Sequence, residues 1–156
     1  MPVEIERKFL AASVPGEQDL APGRRLRQGY LAEDGAVEVR LRRTGDAAAL
    51  SVKAGAGLRR TEVEAPISAE DAEALWAHTE GRRLEKVRYE VVLDGGLVAE
   101  VDRYEGDLDG LVTVEVEFAS EADAARFEPP AWFGRELTGA PGWSNAALAR
   151  HGRPAE

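Results

Sequence analysis

Apolar and polar residues alternate along much of this 156-residue chain. Side chains two positions apart lie on the same face of a β-strand, so alternation indicates strands with two chemically different faces. The alternating segments are 3–10, 37–43, 59–66, 86–93, 97–104 and 112–118, with weaker ones at 25–31 and 48–53. The pattern therefore predicts about eight strands.

Short segments that contain glycine separate several of these strands. They are Glu33-Asp34-Gly35, Thr44-Gly45-Asp46, Gly55-Ala56-Gly57 and Asp94-Gly95-Gly96. Short connections join antiparallel neighbours, and about eight such strands suffice to close a barrel. The sequence predicts one domain over residues 1–156 with a mainly β (α+β) fold. Its expected architecture is a closed eight-stranded antiparallel β-barrel with a few flanking helices.

Three segments carry the signals of short helices. Ser68 precedes Asp71 as an N-cap precedes its capping-box residue, and Gly81 is a stop signal for that segment. The other two predicted helices run from Ser120 to Phe127 and from Ser144 to about His151.

Ionisable residues share one face on five of the predicted strands. The sets are Glu4, Glu6 and Lys8; Glu38, Arg40 and Arg42; Arg60, Glu62 and Glu64; Lys86, Arg88 and Glu90; and Glu115 and Glu117. Such a face is either the solvated outside of a sheet with an apolar interior or the lining of a charged barrel lumen. Composition and periodicity leave both interpretations open.

Composition excludes several classes of protein. The net charge is −9 and the pI is about 4.9, which argues against nonspecific nucleic-acid binding. No apolar run approaches the roughly 18–20 residues of a membrane span, and the N-terminus lacks the apolar stretch of a secretory signal. We expect a cytoplasmic protein that does not contact the membrane, as a monomer or a homodimer.

The charge pattern also suggests a chemistry. The chain has no cysteine and only two histidines, which favours a metal held by oxygen ligands over zinc. Arginine and lysine bind phosphate oxygens, and carboxylates hold Mg²⁺ or Mn²⁺, which commonly bridge phosphates. Clustered carboxylates beside clustered cations are what metal-assisted phosphoryl transfer to water requires.

Specific motifs resemble one known family. Glu4-Ile5-Glu6-Arg7-Lys8 matches Glu-x-Glu-x-Lys, the signature of the CYTH domain, or triphosphate tunnel metalloenzyme, superfamily. Further similar segments follow in the family's order. They are Gln28-Gly29-Tyr30-Leu31, Val39-Arg40-Leu41-Arg42-Arg43, Ser51-Val52-Lys53, Arg60-Thr61-Glu62-Val63-Glu64, Glu85-Lys86-Val87-Arg88-Tyr89, Glu100-Val101-Asp102 and Val114-Glu115-Val116-Glu117-Phe118.

The resemblance implies a tunnel, open at both ends, that binds a triphosphate along its axis. The implied ligands of Mg²⁺ or Mn²⁺ are Glu4, Glu6, Asp102, Glu115 and Glu117, with Glu62 and Glu64 available to a second metal. The implied substrate-binding residues are Lys8, Arg27, Arg40, Arg42, Lys53, Arg60, Lys86 and Arg88. Among these two sets, Glu4, Glu6, Lys8, Lys53 and Lys86 are the expected catalytic residues.

The expected function is metal-dependent hydrolysis of inorganic triphosphate to pyrophosphate and phosphate. The alternatives are a thiamine-triphosphatase or an adenylate cyclase on the same fold, or a non-catalytic module that binds polyphosphate or nucleotide. A thiamine group would need an apolar pocket at a tunnel mouth, which Trp132 or Trp143 could supply. The hydroxyl of Tyr30 either enters the lumen or packs on the barrel wall. The segment 138–145 departs from the family pattern, because Trp143 replaces a tyrosine and the preceding turn carries no charge.

Overall fold

Nine β-strands and three short α-helices make up the described part of the protein. The computed structural model describes residues 3–14 and 20–155. The strands are β1 (Val3–Ala11), β2 (Arg24–Asp34), β3 (Val37–Thr44), β4 (Ala47–Ala54), β5 (Arg59–Ile67), β6 (Arg83–Val92), β7 (Val98–Tyr104), β8 (Val112–Glu117) and β9 (Phe133–Glu136). The helices are α1 (Ala69–Trp76), α2 (Glu121–Arg126) and α3 (Asn145–His151), with 3₁₀ turns at Ala77–Thr79 and Gly106–Leu108.

The strands form one antiparallel sheet that closes on itself. Their order is β5-β4-β3-β2-β6-β7-β8-β1-β9, and an additional pairing of β5 with β1 completes an eight-stranded barrel. The closing pairs include Val3 with Thr61 and Glu4 with Arg60. Closure removes the exposed sheet edges that would otherwise pair with other chains. The predicted barrel and its eight strands are confirmed.

The short strand β9 is the one strand that alternation did not predict. It pairs with β1 through Phe9 and Ala11, beyond the part of β1 that pairs with β5. The same edge of β1 is thus shared between two partners, β5 at its start and β9 at its end. A strand of four residues is too short for a period of two to be recognised in the sequence.

The main hydrophobic core lies on the outside of the barrel wall. Ile5 and Phe9 of β1 and Val114 and Val116 of β8 are buried in one cluster with Ala124 of α2. Phe127 and Phe133 pack on it, with the Phe9 and Phe133 ring centroids 5.0 Å apart. The apolar faces therefore point outward and are covered, and the charged faces line the lumen. Of the two interpretations left open by the sequence, the charged lumen is confirmed.

Helix α1 covers another part of the outer wall. The Ser68 hydroxyl accepts a hydrogen bond from the Asp71 amide, as the capping signal predicted. Ala72 and Trp76 of the helix pack on Leu41 and Ala48 of the sheet. No helix in the described part of the chain is long and apolar enough to cross a lipid bilayer.

The C-terminal segment closes part of one end of the barrel. We call residues 137–151 the plug. Leu137, Trp143 and Leu148 of the plug are buried against Leu84 and Tyr104 of the barrel. Leu84 and Tyr104 lie on the faces of β6 and β7 that also carry lumen residues, so apolar side chains replace charged ones at this end. The plug thus narrows this end of the expected tunnel, and whether both ends are open stays a prediction.

Replacing Phe9 by alanine tests where the core lies. Phe9 is 2% exposed, so we expect the change to lower the free energy of unfolding by about 3–5 kcal/mol. Val63 also faces outward but is 54% exposed, and Val63→Ala should stay within about 0.5 kcal/mol of the parent protein. Urea unfolding measures both changes. Equal losses for the two variants would contradict an outer core centred on β1 and β8.

Candidate active site

The lumen contains a cavity of about 410 Å³ lined almost wholly by ionisable side chains. These side chains lie on strands, where successive residues alternate between the two faces of the sheet. The residues before and after each of them therefore face the outside of the barrel. The predicted site residues that line it are Glu4, Glu6, Arg40, Arg42, Lys53, Glu62, Glu64, Arg88, Glu115 and Glu117. The barrel thus brings ten residues from six strands together around one cavity.

Carboxyl groups crowd together where β1 meets β5. Glu4 hydrogen-bonds to both Glu6 and Glu62. Burial and the neighbouring Glu115 raise the pKa of Glu6 to about 11. Burial and the hydrogen bond to Glu4 raise the pKa of Glu62 to about 7. Burial also acts to raise the pKa of Glu4, but its two hydrogen bonds and Lys53 outweigh it and lower that pKa to about 2. The cluster therefore shares protons instead of carrying its full negative charge.

The carboxyls of β8 continue this acidic wall. Burial acts to raise the pKa of Glu115, but Lys8, Arg88 and other lysines outweigh it, so the pKa is lowered and the group is charged. Burial and the nearby Glu4 raise the pKa of Glu117 above its ordinary value. An acidic wall from β1, β5 and β8 thus faces the cations of the other strands.

Two cations make long contacts to several carboxylates at once. Lys53 Nζ lies 3.7 Å from a carboxylate oxygen of Glu4 and 3.6 Å from one of Glu62. Arg40 lies 3.5 Å from Glu62 and 3.7 Å from Glu64, and it donates a 3.1 Å hydrogen bond to Ser51. Ion pairs this long and this divided are weaker than charge-assisted hydrogen bonds of 2.7–2.9 Å. An incoming phosphate can therefore replace the carboxylates as the partner of these cations.

A second group of charges is tightly paired. Asp102 is buried, and its two oxygens lie 2.8 and 2.9 Å from Arg88 nitrogens and 2.7 Å from Lys86 Nζ. Burial acts to raise the pKa of Asp102, but Lys86 and Arg88 outweigh it and lower that pKa. Both carboxylate oxygens are occupied, so Asp102 is placed to hold two cations. The sequence-based assignment of Asp102 as a metal ligand stays a prediction.

A second cavity of about 290 Å³ lies beside the plug and shares five residues with the first. Lys8 and Arg60 line it. Lys8 Nζ donates a 2.8 Å hydrogen bond to the Trp143 carbonyl, and Arg60 pairs with Glu38 at 3.4 Å. Both predicted phosphate-binding residues therefore line the cavity beside the plug, which Glu6 and Glu115 also line.

Arg27 lies outside the barrel, contrary to its assignment as a substrate-binding residue. Its guanidinium donates to Glu85 at 3.1 Å and lies 4.8 Å from the centre of the Trp76 ring. The reason is register: Leu26 and Gln28 on either side of it are buried, so alternation turns Arg27 outward.

The aromatic residues left open by the sequence have defined positions. Tyr30 is 1% exposed, and its hydroxyl accepts a 3.3 Å hydrogen bond from Gln28 beside the cavity, so it belongs to the lumen side. Trp143 is 4% exposed within the plug core. Trp132 packs edge-on against Phe133 in the outer cluster. Both indoles are thus engaged in packing, although Trp143 also lines the second cavity.

Sequence reasoning missed three residues of the site. Glu100 lines the main cavity and accepts a 3.0 Å hydrogen bond from Arg88. Asn145 lines both cavities, and its side chain accepts a 2.5 Å hydrogen bond from the Tyr104 hydroxyl. Gln28 is fully buried against Arg42. Glu100 shares a face with Asp102, which could have revealed it, whereas no strand pattern reaches Asn145.

As they stand, the side chains described contain no group of three or more Asp, Glu or His arranged to hold a metal ion. The acidic wall nevertheless has the oxygen donors that Mg²⁺ and Mn²⁺ prefer. One Glu4 oxygen is buried without a hydrogen-bond partner. A buried carboxylate oxygen in that condition is costly and would gain from a cation.

Comparison with known proteins places the chain among triphosphatases. No family model matches it. It is 47% identical to an inorganic triphosphatase of Nitrosomonas europaea over 94% of this chain and 96% of that protein. An inorganic triphosphatase of Acetivibrio thermocellus is 36% identical over 95% of this chain and 94% of that protein.

Solved structures agree with these matches. The crystal structure of the inorganic triphosphatase NE1496 has a TM-score of 0.71 and 43% identity, covering 97% of both chains. A candidate adenylyl cyclase from Hippeastrum with a dominant triphosphatase activity has a TM-score of 0.55 at 13% identity, covering 80% of this chain and 83% of that one. The second likeness concerns the fold alone.

The change Asp102→Asn tests whether Asp102 holds Lys86 and Arg88. Removing the charge would leave two buried cations without a full counter-charge, so we expect a loss of about 3–5 kcal/mol in the free energy of unfolding. Glu85→Gln removes an exposed partner of Arg25 and Arg27 and should cost less than about 1 kcal/mol. Urea unfolding compares them. A fully stable Asp102→Asn protein would count against the pairing role.

The crowded carboxyls predict how stability changes with pH in EDTA. A group whose pKa is raised on folding stabilises the protein below its ordinary pKa, and this contribution is lost as the pH rises through the folded value. For Glu62 the loss runs from its ordinary pKa of 4.5 to about 7, and Glu6 acts in the same direction. The pKa values of Glu4 and Glu115 are lowered on folding, so these two groups change the stability of the protein only at pH values below the ordinary pKa of 4.5.

We therefore expect the urea midpoint to fall with rising pH across that interval, and to fall less in Glu62→Gln. The series of unfolding curves is measured in EDTA so that no divalent cation binds. A midpoint that rises or stays level for the parent protein would show that the carboxyls are not crowded in solution.

Proposed function

The chain belongs to the inorganic triphosphatase family of the CYTH superfamily, and from that premise we propose that it hydrolyses inorganic triphosphate to pyrophosphate and phosphate inside its barrel. The observation that carries the proposal is the pair of opposed walls in the 410 Å³ cavity. Carboxyls of β1, β5 and β8 lie on one side, and cations of β3, β4 and β6 lie on the other. A linear polyanion with a bound divalent cation can contact both walls at once. Its oxygens bind the arginines and lysines, and its metal ion binds the carboxylates.

The cation wall is suited to exchange one anion for another. Arg40 and Lys53 hold their carboxylates at 3.5–3.7 Å, and arginine can bind two oxygens of one phosphoryl group in place of them. Arg42 and Arg88 extend the row along the cavity. The expected substrate contacts are therefore Arg40, Arg42, Lys53 and Arg88, with Lys8 and Arg60 reached only from the plug end.

The acidic wall suits Mg²⁺ or Mn²⁺. Its donors are oxygens, and one buried Glu4 oxygen accepts no hydrogen bond and has only a long contact of 3.7 Å with Lys53. Burial and the neighbouring Glu115 raise the pKa of Glu6, as expected for carboxyls crowded together without a cation. Glu4, Glu6, Glu115 and Glu117 would hold the cation, and Glu62 and Glu64 lie where a second one could be held. When bound, the metal supplies positive charge to the phosphoryl oxygens and lowers the pKa of water.

The reaction needs no protein nucleophile. Water attacks the terminal phosphorus in line with the bridging oxygen, and the bond to that oxygen breaks as pyrophosphate takes the electron pair. Arg40, Arg42 and Arg88 hold the phosphoryl oxygens in place and stabilise the charge that develops on them. Lys86 and Asp102 keep Arg88 oriented. No single side chain is assigned as the general base.

An inorganic substrate is favoured over thiamine triphosphate. The two indoles that could have formed an aromatic pocket are occupied in the plug core and in the outer cluster. A cavity whose lining is charged offers little apolar surface to an organic group. Nothing in the lumen favours an adenylate cyclase, since a nucleoside would need the same kind of apolar contact.

A non-catalytic module that binds polyphosphate remains the rival from another class. Such a module would need the cations and could dispense with the acidic wall. Six carboxyls of the acidic wall converge beside the cations here, at the cost of mutual repulsion, which supports a role for them in turnover.

Phosphate release from a panel of inorganic triphosphate, thiamine triphosphate, ATP and pyrophosphate tests the proposal. We expect release from inorganic triphosphate with Mg²⁺ or Mn²⁺ and none with EDTA. Glu4→Gln should lower kcat/KM on the order of 100-fold or more, because it removes a charged donor from the acidic wall. Glu73→Gln, on the outer surface of α1, should leave it unchanged.

Other outcomes of the panel are equally informative. Folded protein that binds triphosphate but releases no phosphate would favour the binding module. Faster turnover of thiamine triphosphate would contradict the choice of an inorganic substrate.

A further inference from the structure

Arg42 is held in the lumen by an uncharged partner. The Gln28 side-chain oxygen accepts hydrogen bonds from Arg42 Nε at 3.0 Å and from Nη2 at 2.7 Å. One amide oxygen thus receives two donors of the guanidinium, which fixes the direction in which the remaining donors point. Gln28 is 0% exposed, so this contact lies out of solvent.

The other cations deep in the lumen are held by carboxylates. Arg40 and Lys53 each contact Glu62, and Lys86 and Arg88 contact Asp102. By contrast, no ion pair within 4.0 Å among residues 3–14 and 20–155 includes Arg42, although Arg42 lines the same cavity. Its positive charge is therefore not cancelled by an adjacent carboxylate.

The Gln28 amide is itself fixed on its other side. Its nitrogen donates to the Tyr30 hydroxyl at 3.3 Å, and Tyr30 is 1% exposed. With the amide nitrogen directed at Tyr30, the oxygen must face Arg42. The two residues lie two positions apart on β2, so both side chains point to the same face of the strand.

We propose that Gln28 is a positioning residue that orients the Arg42 guanidinium toward the substrate while leaving its charge free for a phosphoryl group. The inference rests on the proposed function, since it concerns how that substrate is held. Arg42 is then the one cation of the main cavity that binds phosphate without first giving up a carboxylate.

The physical reason is the difference between a neutral and a charged acceptor. A carboxylate at position 28 would hold Arg42 more strongly, but it would also neutralise the cation and repel the phosphate. The Gln28 amide orients the Arg42 guanidinium without neutralising its charge. Burial, together with Arg40 and Arg88, lowers the pKa of Arg42 to about 10, so these neighbouring cations repel one another until an anion arrives.

The test measures KM and kcat for inorganic triphosphate with Mg²⁺ in Gln28→Glu, Gln28→Met and Arg42→Lys. Hydrogen bonds to charged groups are worth enough to change binding about 10- to 100-fold. We expect KM to rise by that factor in Gln28→Glu and about tenfold in Gln28→Met, with kcat changed less. Glutamate has nearly the same shape as glutamine, so we expect Gln28→Glu to fold. This variant therefore still tests the inference if Gln28→Met does not fold.

Coupling to Arg42 separates positioning from a general structural effect. In the Arg42→Lys background, Gln28→Glu and Gln28→Met should add little further increase in KM. Thr79→Val is a matched control, because Thr79 is a fully buried polar residue outside the lumen, bonded to Trp76 and Arg83. It should lower stability and leave KM unchanged.

Two results would overturn the inference while leaving the enzyme assignment intact. One is an active parent protein whose Gln28→Glu variant keeps the parent KM. The other is a full, additive increase in KM when the Gln28 changes are combined with Arg42→Lys. An inactive parent protein would instead contradict the proposed function itself.

Discussion

Charge balance inside the closed barrel is the constraint on which the rest of the structure depends. Pairing of β5 with β1 forces one face of every strand into a narrow lumen, and that face carries carboxylates, arginines and lysines. Buried charges are tolerated only when they are paired or bind a ligand. The apolar faces must then find cover outside, which α1, α2 and the aromatic residues around Phe133 provide. Placing the charges inside thus decides where the helices go.

The lumen contains two kinds of ion pair, which have different functions. The contacts of Asp102 with Lys86 and Arg88 are 2.7–2.9 Å long and fully buried, so they keep part of the wall rigid. The contacts of Arg40 and Lys53 are 3.5–3.7 Å long and shared among several carboxylates. Rigid pairs preorganise the site and loose pairs can be exchanged, and a site for a charged substrate needs both.

The plug makes its end of the lumen chemically different from the main cavity. At that end Leu84, Tyr104 and Trp143 replace charged side chains, and Lys8 is tied to the Trp143 carbonyl. Trp143, which departs from the tyrosine of the family pattern that the chain resembles, is buried in this apolar cluster. Apolar side chains therefore adjoin the lumen at the plug end, whereas charged side chains line the main cavity, and the smaller cavity still reaches the lumen beside the plug.

The sequence by itself determined the eight strands of the barrel, the helix caps and the residue types of the site, because alternation and capping are local properties of the chain. It could not determine which face pointed inward, since a charged face suits either solvent or a lumen until the barrel is known to close. It also misplaced Arg27. Only the tertiary structure showed that register turns Arg27 outward and that Lys86 and Arg88 occupy both oxygens of Asp102. Asn145 reaches the lumen through the packing of the plug, a long-range contact that no local pattern encodes.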